Sequence, residues 1–473
     1  MISLSRALPA RIAATAAILS LAAVAGCASR PVNPPLAAYD HTGGYRADAA
    51  NLRPDTDPAT VIALAFSGGG TRAAALSFGV LEELRRTPIV VDGKPRRLLD
   101  EVDFISAVSG GSFTALAYAL HGERLFDDYD RRFLKRDVQG ALIARAFSPT
   151  QWPRLASGGF GRSELAAEYY DEILFDGATF GDLVASTTPR AIVAGTDLST
   201  GARFGFTQSD FDHICSDLSR VRLSRAAAAS SAVPVVLSPV TFNNYAGRCG
   251  FHDSELAAAH LAHAAAGARM QERSRETTLL RDSARRPFVH VVDGGVSDNL
   301  GLRAILEGLE MLETSDEMRA LLNVRNFRRV VVIVVNAQSG IRTDWDRSEA
   351  PPGSIEILLQ AAGVPIDRYS YESLQHLRST VERWNTAREL DAMRARLFGR
   401  PEGDAVELKL YAIDVSFDAV ADPAERDYLK ALPTSFALPP DDVDRLRATA
   451  GRLLRDSAAY RELVRELGGA PRQ

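Results

Sequence analysis

Short apolar runs that end at glycine-rich turns are the feature that most restricts how this chain folds. Runs at Val61–Phe66, Phe104–Val108 and Phe288–Val292 each lead into a glycine-containing turn and then into a helical stretch, and further apolar runs lie at 190–195 and 330–336. Such runs, alternating with helices, are typical of parallel strands that are buried on both faces. We therefore predict an α/β fold with three layers, α/β/α, around a mainly parallel central sheet.

The rest of the chain fits one large domain, which we place at residues 59–470. An alternating run at Val406–Ile413 predicts a strand nearer the sheet edge, and an apolar stripe of helical spacing from Val443 to Leu467 predicts a closing helix. Residues 243–286 contain an alanine-rich and then charged stretch, which indicates a helical insertion. It would serve either as a lid over a cleft or as a surface helix without such a role.

Ser109 lies where the second apolar run breaks, and Gly110 and Gly111 follow it directly. A serine hydroxyl is a poor nucleophile, so enzymes expose it on a tight strand-to-helix turn beside amide donors and a base. Ser109 is accordingly the candidate nucleophile.

A glycine loop follows the first apolar run and supplies candidate amide donors. Gly68, Gly69 and Gly70 carry no Cβ atom, so their backbone can adopt positive φ and a substrate oxygen can approach the amides closely. A phosphate-binding loop uses glycine similarly but ends in Gly-Lys-Ser/Thr, whereas Thr71-Arg72 follows here. We therefore expect an oxyanion-binding loop, in which Arg72 either adds positive charge beside the oxygen or orders the loop.

Asp293 ends the third apolar run and is the candidate base. A carboxylate at the carboxyl end of a strand faces the usual ligand crevice of an α/β sheet. Asp298 lies just ahead of a helical stretch, where an aspartate is a good N-cap, and we assign it that structural role.

Histidine is not expected in the reaction. Only His376 follows Asp293 in the chain order of a serine, acid and histidine triad, and it lies in a polar helical stretch that predicts a solvated face. His290 precedes Asp293 by three residues in a strand, so it should point to the opposite face of the sheet, into the core.

Metal binding is not expected either. His252, Asp253, His260 and His263 lie close together in the sequence, but the H-E-x-x-H spacing is absent and a third ligand would have to be assumed. No cofactor is predicted.

Taken in order, these motifs resemble those of the patatin-like phospholipase family. The resemblance covers most of the chain from about Thr60 and includes two further segments, 196–201 and 229–234. It implies a serine–aspartate dyad of Ser109 and Asp293, an oxyanion hole in the glycine loop assisted by Arg72, no catalytic histidine, and hydrolysis of acyl esters in membrane lipids. An acyltransferase with the same dyad, or a non-catalytic lipid-binding lipoprotein, are the alternatives.

One position departs from the family pattern. The strand-to-helix turn that carries the nucleophile, known as the nucleophile elbow, usually has the sequence G-x-S-x-G, but Ala107 occupies the first glycine position here. A methyl group where strand and helix pass closely opens the elbow slightly at most. We treat it as a tolerated variation, because Gly110 and Gly111 still relieve the turn after Ser109.

The amino terminus predicts export and lipid attachment. Arg6 and Arg11 precede an apolar run, Ile12–Ala25, which is too short to span a bilayer but suits a signal peptide. The run ends in Val-Ala-Gly-Cys27, which resembles a bacterial lipobox; an ordinary signal peptide with a coincidental cysteine is the alternative. We expect residues 1–26 to be removed, Cys27 to carry lipid, and residues 27–58 to form a flexible tether at the outer membrane of a bacterial cell envelope.

The remaining cysteines and the net charge agree with a location in the cell envelope. Cys215 and Cys249 form an even pair in an oxidising compartment, which indicates a disulfide, although two separate thiols are the alternative. Against 60 acidic residues stand 55 basic ones, a net charge of −5, which argues against nucleic-acid binding. Association with a bilayer therefore depends on the lipid anchor.

Overall fold

A computed structural model describes residues 29–47, 53–253, 267–314, 327–340, 344–398 and 408–470. Its centre is an eight-stranded sheet, and a separate two-stranded hairpin lies beside it. The strands are β1 Thr60–Phe66, β2 Pro88–Val91, β3 Lys94–Arg97, β4 Val102–Val108, β5 Arg190–Asp197, β6 Arg203–Gly205, β7 Val240–Asn243, β8 Phe288–Val292, β9 Arg329–Asn336 and β10 Lys409–Ser416.

The strands of the main sheet follow the order β10-β9-β1-β4-β5-β8-β7, and β6 pairs with β5. The four pairs from β10 to β5 are parallel, whereas β8 runs antiparallel to both β5 and β7. The predicted mainly parallel sheet is confirmed, and β10 is the edge strand that alternation predicted. Sequence periodicity did not reveal β6 or β7, which are only three and four residues long.

Helices cover the sheet and connect its strands. They are α1 Gly70–Arg86, α2 Gly110–His121, α3 Leu125–Tyr129, α4 Val138–Ala146, α5 Trp152–Leu155, α6 Arg162–Tyr170, α7 Gln208–Asp212, α8 Leu223–Ser230, α9 Ala268–Leu280, α10 Gly295–Asp298, α11 Arg303–Thr314, α12 Ser354–Phe398, α13 Pro423–Ala431, α14 Pro440–Asp456 and α15 Ala458–Glu466. The predicted closing helix is two helices, α14 and α15, because Ser457 breaks the first and caps the second.

The two faces of the sheet are buried in separate apolar clusters. Along β9, Val331, Ile333 and Val335 join the larger cluster, which includes side chains of α1, α2 and α14. The intervening residues Val330, Val332 and Val334 join the smaller cluster with α11 and α12. Because successive side chains of a strand point to opposite faces, this alternation shows a sheet covered on both sides. The predicted three-layer α/β/α fold is therefore confirmed.

The expected flexible tether is wrong for its larger described part, residues 29–47, which we call the N-terminal strap. Tyr45 is buried, and its hydroxyl accepts a 2.7 Å hydrogen bond from the amide of Ala191 in β5. The buried Arg46 donates to the carboxylate of Asp212 at 2.8 Å. These interactions dock the strap on the domain, although the sequence of the segment shows neither helical nor strand periodicity.

The region predicted as an insertion is fixed to the domain where it is described. Arg273 of α9 donates to the carbonyl oxygen of Arg203 at 2.7 Å and also pairs with Asp210. Asn244 donates to the carbonyl oxygen of Leu280 at 2.7 Å. These contacts support the surface-helix alternative for α9.

No helix within the described residues combines the length and the apolar character needed to cross a bilayer.

Candidate active site

Ser109 occupies a sharp turn between β4 and α2. Its backbone has φ 50° and ψ −119°, a conformation that costs a non-glycine residue about 1–3 kcal/mol. The turn needs small neighbours, because a Cβ atom at Gly110 would lie 2.1 Å from the carbonyl oxygen of Gly70. One at Gly111 would lie 2.7 Å from that of Phe66. The local sequence therefore permits a strained elbow that presents the serine hydroxyl.

The alanine at position 107, where the family pattern has glycine, does not open this elbow. Ala107 is fully buried and stays in parallel register with Phe66 of β1. The close passage between strand and helix falls instead at Gly111, where glycine is retained. Ala107 is therefore tolerated at this position, as predicted.

The structure brings Ser109 and Asp293 together across the sheet. The Ser109 hydroxyl donates a 2.8 Å hydrogen bond to Oδ2 of Asp293, and both residues are buried. The other carboxylate oxygen, Oδ1, accepts a 2.8 Å bond from the amide of Gly295 at the start of α10. Burial raises the pKa of Asp293 to about 6, although both hydrogen bonds act to lower it. The carboxyl group can therefore accept a proton near neutral pH.

Backbone hydrogen bonds fix Asp293 at this position. Its amide donates to the carbonyl oxygen of Ala232 at 3.0 Å, and the amide of Gly294 donates to that of Ser230 at the same distance. The hydroxyl of Thr196 in β5 donates to the carbonyl oxygen of Asp293 at 3.0 Å. The backbone at Asp293 is therefore held by two neighbouring segments, both of which carry motifs singled out in the sequence.

The glycine loop lies against the elbow, but its three glycines differ. The amide of Gly68 donates to the carbonyl oxygen of Asn299 at 2.9 Å, so it is not available to a substrate. Gly69 and Gly70 have φ of 133° and 61°, and within the described residues neither of their amides has an acceptor, nor does that of Gly110. The assignment of Gly68 as an oxyanion donor is corrected: Gly68 instead leaves room, since a Cβ atom there would lie 3.3 Å from Cβ of Ser109.

Arg72 is buried and orders the surrounding loops. Its Nε donates to the carbonyl oxygen of Ala337 at 2.9 Å and its Nη2 to the hydroxyl of Thr434 at 3.0 Å, while Nη1 donates to the carbonyl oxygen of Leu432. These contacts tie the start of α1 to the segments after β9 and α13. Of the two roles considered for Arg72, they support loop ordering.

Two groups at the site were missed by sequence reasoning. The hydroxyl of Ser230 accepts a 2.8 Å hydrogen bond from the amide of Ser109 and donates at 2.6 Å to the carbonyl oxygen of Ala194. The amide of Gly110 is the donor expected next to a nucleophile on an elbow. The nucleophile-elbow geometry could have indicated Gly110, but only the fold brings Ser230 to Ser109.

Neither histidine considered above is hydrogen-bonded to the dyad. His376 is half-buried on α12. His290 is exposed and pairs with the hydroxyl of Thr241 at 2.9 Å, so its predicted place in the core was wrong. Phe288, on the same face of β8, is also exposed, whereas Val289 and Val291 on the other face are buried, so the face of β8 that carries His290 is open to solvent.

Other predicted residues have the following places. Asp298 accepts hydrogen bonds from the amides of Leu302 and Arg303 at 3.0 and 2.8 Å, which confirms its capping of α11. Cys215 and Cys249 are joined in a disulfide. Cys27, His260 and His263 lie outside the described residues. His252 and Asp253 are described, and Asp253 pairs with Arg281.

Comparisons with known proteins identify a family for this chain. A family model described as Patatin-like phospholipase matches residues 64–306. Human GIVD cytosolic phospholipase A2 is 12% identical, with a TM-score of 0.44 over 89% of this chain and 62% of that one, so the chain spans less than two thirds of its length. VipD from Legionella pneumophila is 11% identical, with a TM-score of 0.27 over 89% of this chain and 71% of that one. No curated protein sequence gives a significant match.

Proposed function

Because the chain belongs to the patatin-like phospholipase family, we propose that it is a lipid hydrolase that cleaves fatty acyl esters of phospholipids or lysophospholipids. The observation that carries this proposal is the 2.8 Å hydrogen bond from the Ser109 hydroxyl to Asp293. A buried serine on a strained elbow, in contact with a single carboxylate, has the parts that acyl transfer needs.

In the first half of the reaction, Oγ of Ser109 attacks the ester carbonyl carbon while its proton passes to Oδ2 of Asp293. The carbonyl double bond becomes an oxyanion, and the amides of Gly69, Gly70 and Gly110 are the donors in place to stabilise it. When the intermediate collapses, the carbon–oxygen bond to the leaving alcohol breaks, and Asp293 returns the proton to that oxygen. The product is an acyl ester on Ser109 and a free lysolipid or glycerol compound.

In the second half, water replaces serine as the nucleophile. Asp293 takes a proton from water, the hydroxyl oxygen attacks the acyl carbon, and the serine oxygen leaves with that proton. Fatty acid is released and both side chains return to their starting state. An alcohol in place of water would give the acyltransferase alternative from the same intermediate.

The pKa of Asp293 matters because an ordinary carboxylate is a poor base toward a hydroxyl group. Its pKa of about 6 lies closer to neutral pH, where general bases act most efficiently. The remaining cost falls on the oxyanion hole, in which one donor contributes about 3 kcal/mol in other enzymes.

We also propose that the mature chain is lipidated at Cys27 and acts at a bacterial outer membrane. The signal-peptide pattern and the lipobox that ends at Cys27 support this placement. A lipid-anchored enzyme would meet its substrate in the membrane that carries it.

Labelling with a fluorophosphonate probe tests the proposal directly. The probe should react with the wild-type protein and not with a Ser109→Ala variant. Ser199→Ala, which removes an exposed serine in the turn after β5, is the matched control and should label normally. Labelling that persists in Ser109→Ala, or a wild-type protein that neither labels nor releases fatty acid from phospholipid, would refute the function proposed here.

A further inference from the structure

We propose that the face around the start of the N-terminal strap is the membrane-docking surface of the enzyme, and that the bilayer carrying its lipid anchor occupies it. The inference rests on the proposed lipidation of Cys27. It adds an orientation: the strap fixes which side of the catalytic domain lies on the lipid.

The first residues of the strap are held in place rather than free. Ser29 forms a parallel bridge with Gly159. The guanidinium group of Arg30 donates to the carbonyl oxygen of Thr241 at 2.9 Å and lies 5.6 Å from the centre of the Phe288 ring. Asn33 continues the attachment, since its Oδ1 accepts a 2.7 Å bond from the amide of Asn243.

These contacts lie on the carboxyl side of the sheet. Thr241 pairs with His290, whereas the last residue of β5, Asp197, pairs with Val291. The β7–β8 pair therefore extends past the carboxyl end of β5. Ser109 follows the carboxyl end of β4, whose last residue, Val108, pairs with Ala194 near the carboxyl end of the parallel strand β5. The strap therefore begins on the same side of the sheet as the dyad.

Covalent geometry then limits where the anchor can enter the membrane. Two peptide units separate Cys27 from Ser29, and they reach at most about 7 Å. A lipid on Cys27 must therefore leave the protein surface close to Gly159, and the surrounding face must approach the bilayer. A tether of some thirty flexible residues would have imposed no such restriction.

Three exposed apolar side chains lie on segments that adjoin this point, and we call Trp152, Val235 and Val236 the docking rim. About half or more of each is accessible to solvent: 57%, 49% and 54%, respectively. Trp152 begins the short helix α5, which leads through turns to Gly159. Val235 and Val236 follow Ala232, whose carbonyl oxygen accepts the amide of Asp293.

The backbone at Val235 strengthens the argument. Its φ is 73°, a region that glycine or asparagine occupies at little cost and that is strongly disfavoured for a β-branched residue. Because about half of its side chain is exposed, core packing does not account for a valine at this position. Insertion into the acyl region of a bilayer gives its side chain an apolar environment.

Arg162 adds charge of the sign that suits anionic lipid. It is exposed and donates to the carbonyl oxygen of Val235 at 3.0 Å. Within the described residues no carboxylate forms an ion pair with it. A cation next to exposed apolar side chains is the arrangement that interfacial binding to phospholipid requires.

Fluorescence quenching tests the orientation without relying on catalysis. Full-length lipidated protein is reconstituted in phosphatidylethanolamine–phosphatidylglycerol vesicles that contain lipids brominated on the acyl chains. A Trp345→Phe/Trp384→Phe variant keeps only Trp152, and a Trp152→Phe/Trp345→Phe variant keeps only Trp384, which lies on α12 and donates to the carbonyl oxygen of Leu408. Trp152 should be quenched and Trp384 should not. Equal quenching of the two, no quenching of Trp152, or a chain recovered without lipid would overturn the inference.

A second experiment separates docking from chemistry. Val235→Ser/Val236→Ser should lower the hydrolysis of vesicle phospholipid about tenfold, because two side chains lose their apolar contact with the bilayer. Hydrolysis of a soluble short-chain ester should be unchanged. The control, Met393→Ser/Leu397→Ser, alters side chains of α12 that are more exposed, at 58% and 73%, and should affect neither substrate.

The outcomes distinguish this inference from the proposed function. Equal loss on both substrates in the valine variant, or equal loss on vesicles in the control, overturns the docking surface and leaves the dyad intact. A wild-type protein that hydrolyses neither substrate refutes the function, while the quenching pattern still decides the orientation.

Discussion

The two ends of the sheet each hold a buried aspartate, and the two residues have different partners. At the end where the parallel strands finish, which we call the carboxyl end, Asp293 accepts a hydrogen bond from the Ser109 hydroxyl, and burial raises its pKa to about 6. At the amino end, burial raises the pKa of Asp103 still further, to about 7. Asp103 accepts hydrogen bonds from the amide of Ile62 at 2.9 Å and the hydroxyl of Thr56 at 3.1 Å.

Asp103 has a structural explanation. The register of β1 and β4 shifts between Ile62 and Ala63, which pair with Val102 and Phe104, so Asp103 is the extra residue of a bulge. A bulge leaves a ladder amide unpaired, and the Asp103 carboxylate satisfies the amide of Ile62. A perturbed pKa in a buried carboxyl group is therefore not enough to identify a catalytic acid or base. The partner decides, and only Asp293 faces a nucleophile.

The largest effect should come from removing each carboxylate in turn. Asp293→Asn should lower kcat/KM for a soluble ester about a thousandfold, since the amide cannot accept the Ser109 proton. Asp103→Asn should leave it within about threefold while lowering the free energy of unfolding. Initial rates and denaturant unfolding of both variants check this. If Asp293→Asn and Asp103→Asn lose comparable activity, the assignment of a catalytic role to Asp293 and a structural role to Asp103 is wrong.

A glycine of the glycine loop and a glycine of the separate hairpin provide the next comparison. Gly70 in the glycine loop and Gly93 in the β2–β3 hairpin have similar φ values, 61° and 74°. A Cβ atom at Gly70 would lie 2.3 Å from the carbonyl oxygen of Ser435, whereas one at Gly93 has nothing within 4 Å. Gly70→Ala should therefore displace the oxyanion donors and cost about a hundredfold in kcat. Gly93→Ala should cost about 1 kcal/mol of stability and no activity. Steady-state kinetics that rank the two variants in the reverse order would contradict the assignment of the loop.

The pH dependence should identify which carboxyl group controls the rate. Asp293 acts as a base only when it is deprotonated, so kcat/KM for a soluble ester should level off above pH 6. Below its pKa of about 6, the rate should fall about tenfold per pH unit. Asp103→Asn should leave this change of slope in the pH profile in place. If the slope instead changes near pH 7 and Asp103→Asn removes that change, Asp103 rather than Asp293 controls the rate.

The contrast between the ends also shows what sequence can predict. Ser109, Asp293 and the glycine loop were found because each lies directly after an apolar strand, where local pattern and chemistry coincide. Asp298 was recognised as a cap because it lies just ahead of a helical stretch. The parallel core of the sheet followed from the length and spacing of the apolar runs.

The features that the sequence did not predict depend on contacts between segments that are distant in the chain. The N-terminal strap has no periodicity, and it is ordered by side chains such as Tyr45 that reach buried partners far along the chain. The occupied amide of Gly68 depends on Asn299, which lies more than two hundred residues away. The exposure of His290 depends on which face of β8 the rest of the chain covers, which the pattern within the strand does not reveal.

Ser230 belongs to this second class and gives the smallest effect. Its hydroxyl holds the amide of the strained Ser109, whereas the neighbouring Ser231 donates to the carbonyl oxygen of Ala227 at 2.7 Å, within its own helix turn. Ser230→Ala leaves the elbow amide without its acceptor, so kcat should fall about tenfold with little change in KM, equivalent to one hydrogen bond. Ser231→Ala, equally buried, should keep kcat. At the amino end, Thr56→Val removes the hydroxyl that supports Asp103 and should lower only the stability. If Ser230→Ala and Ser231→Ala retain the same kcat, the elbow does not depend on this hydroxyl, and the difference between the two ends is confined to the dyad and its glycine loop.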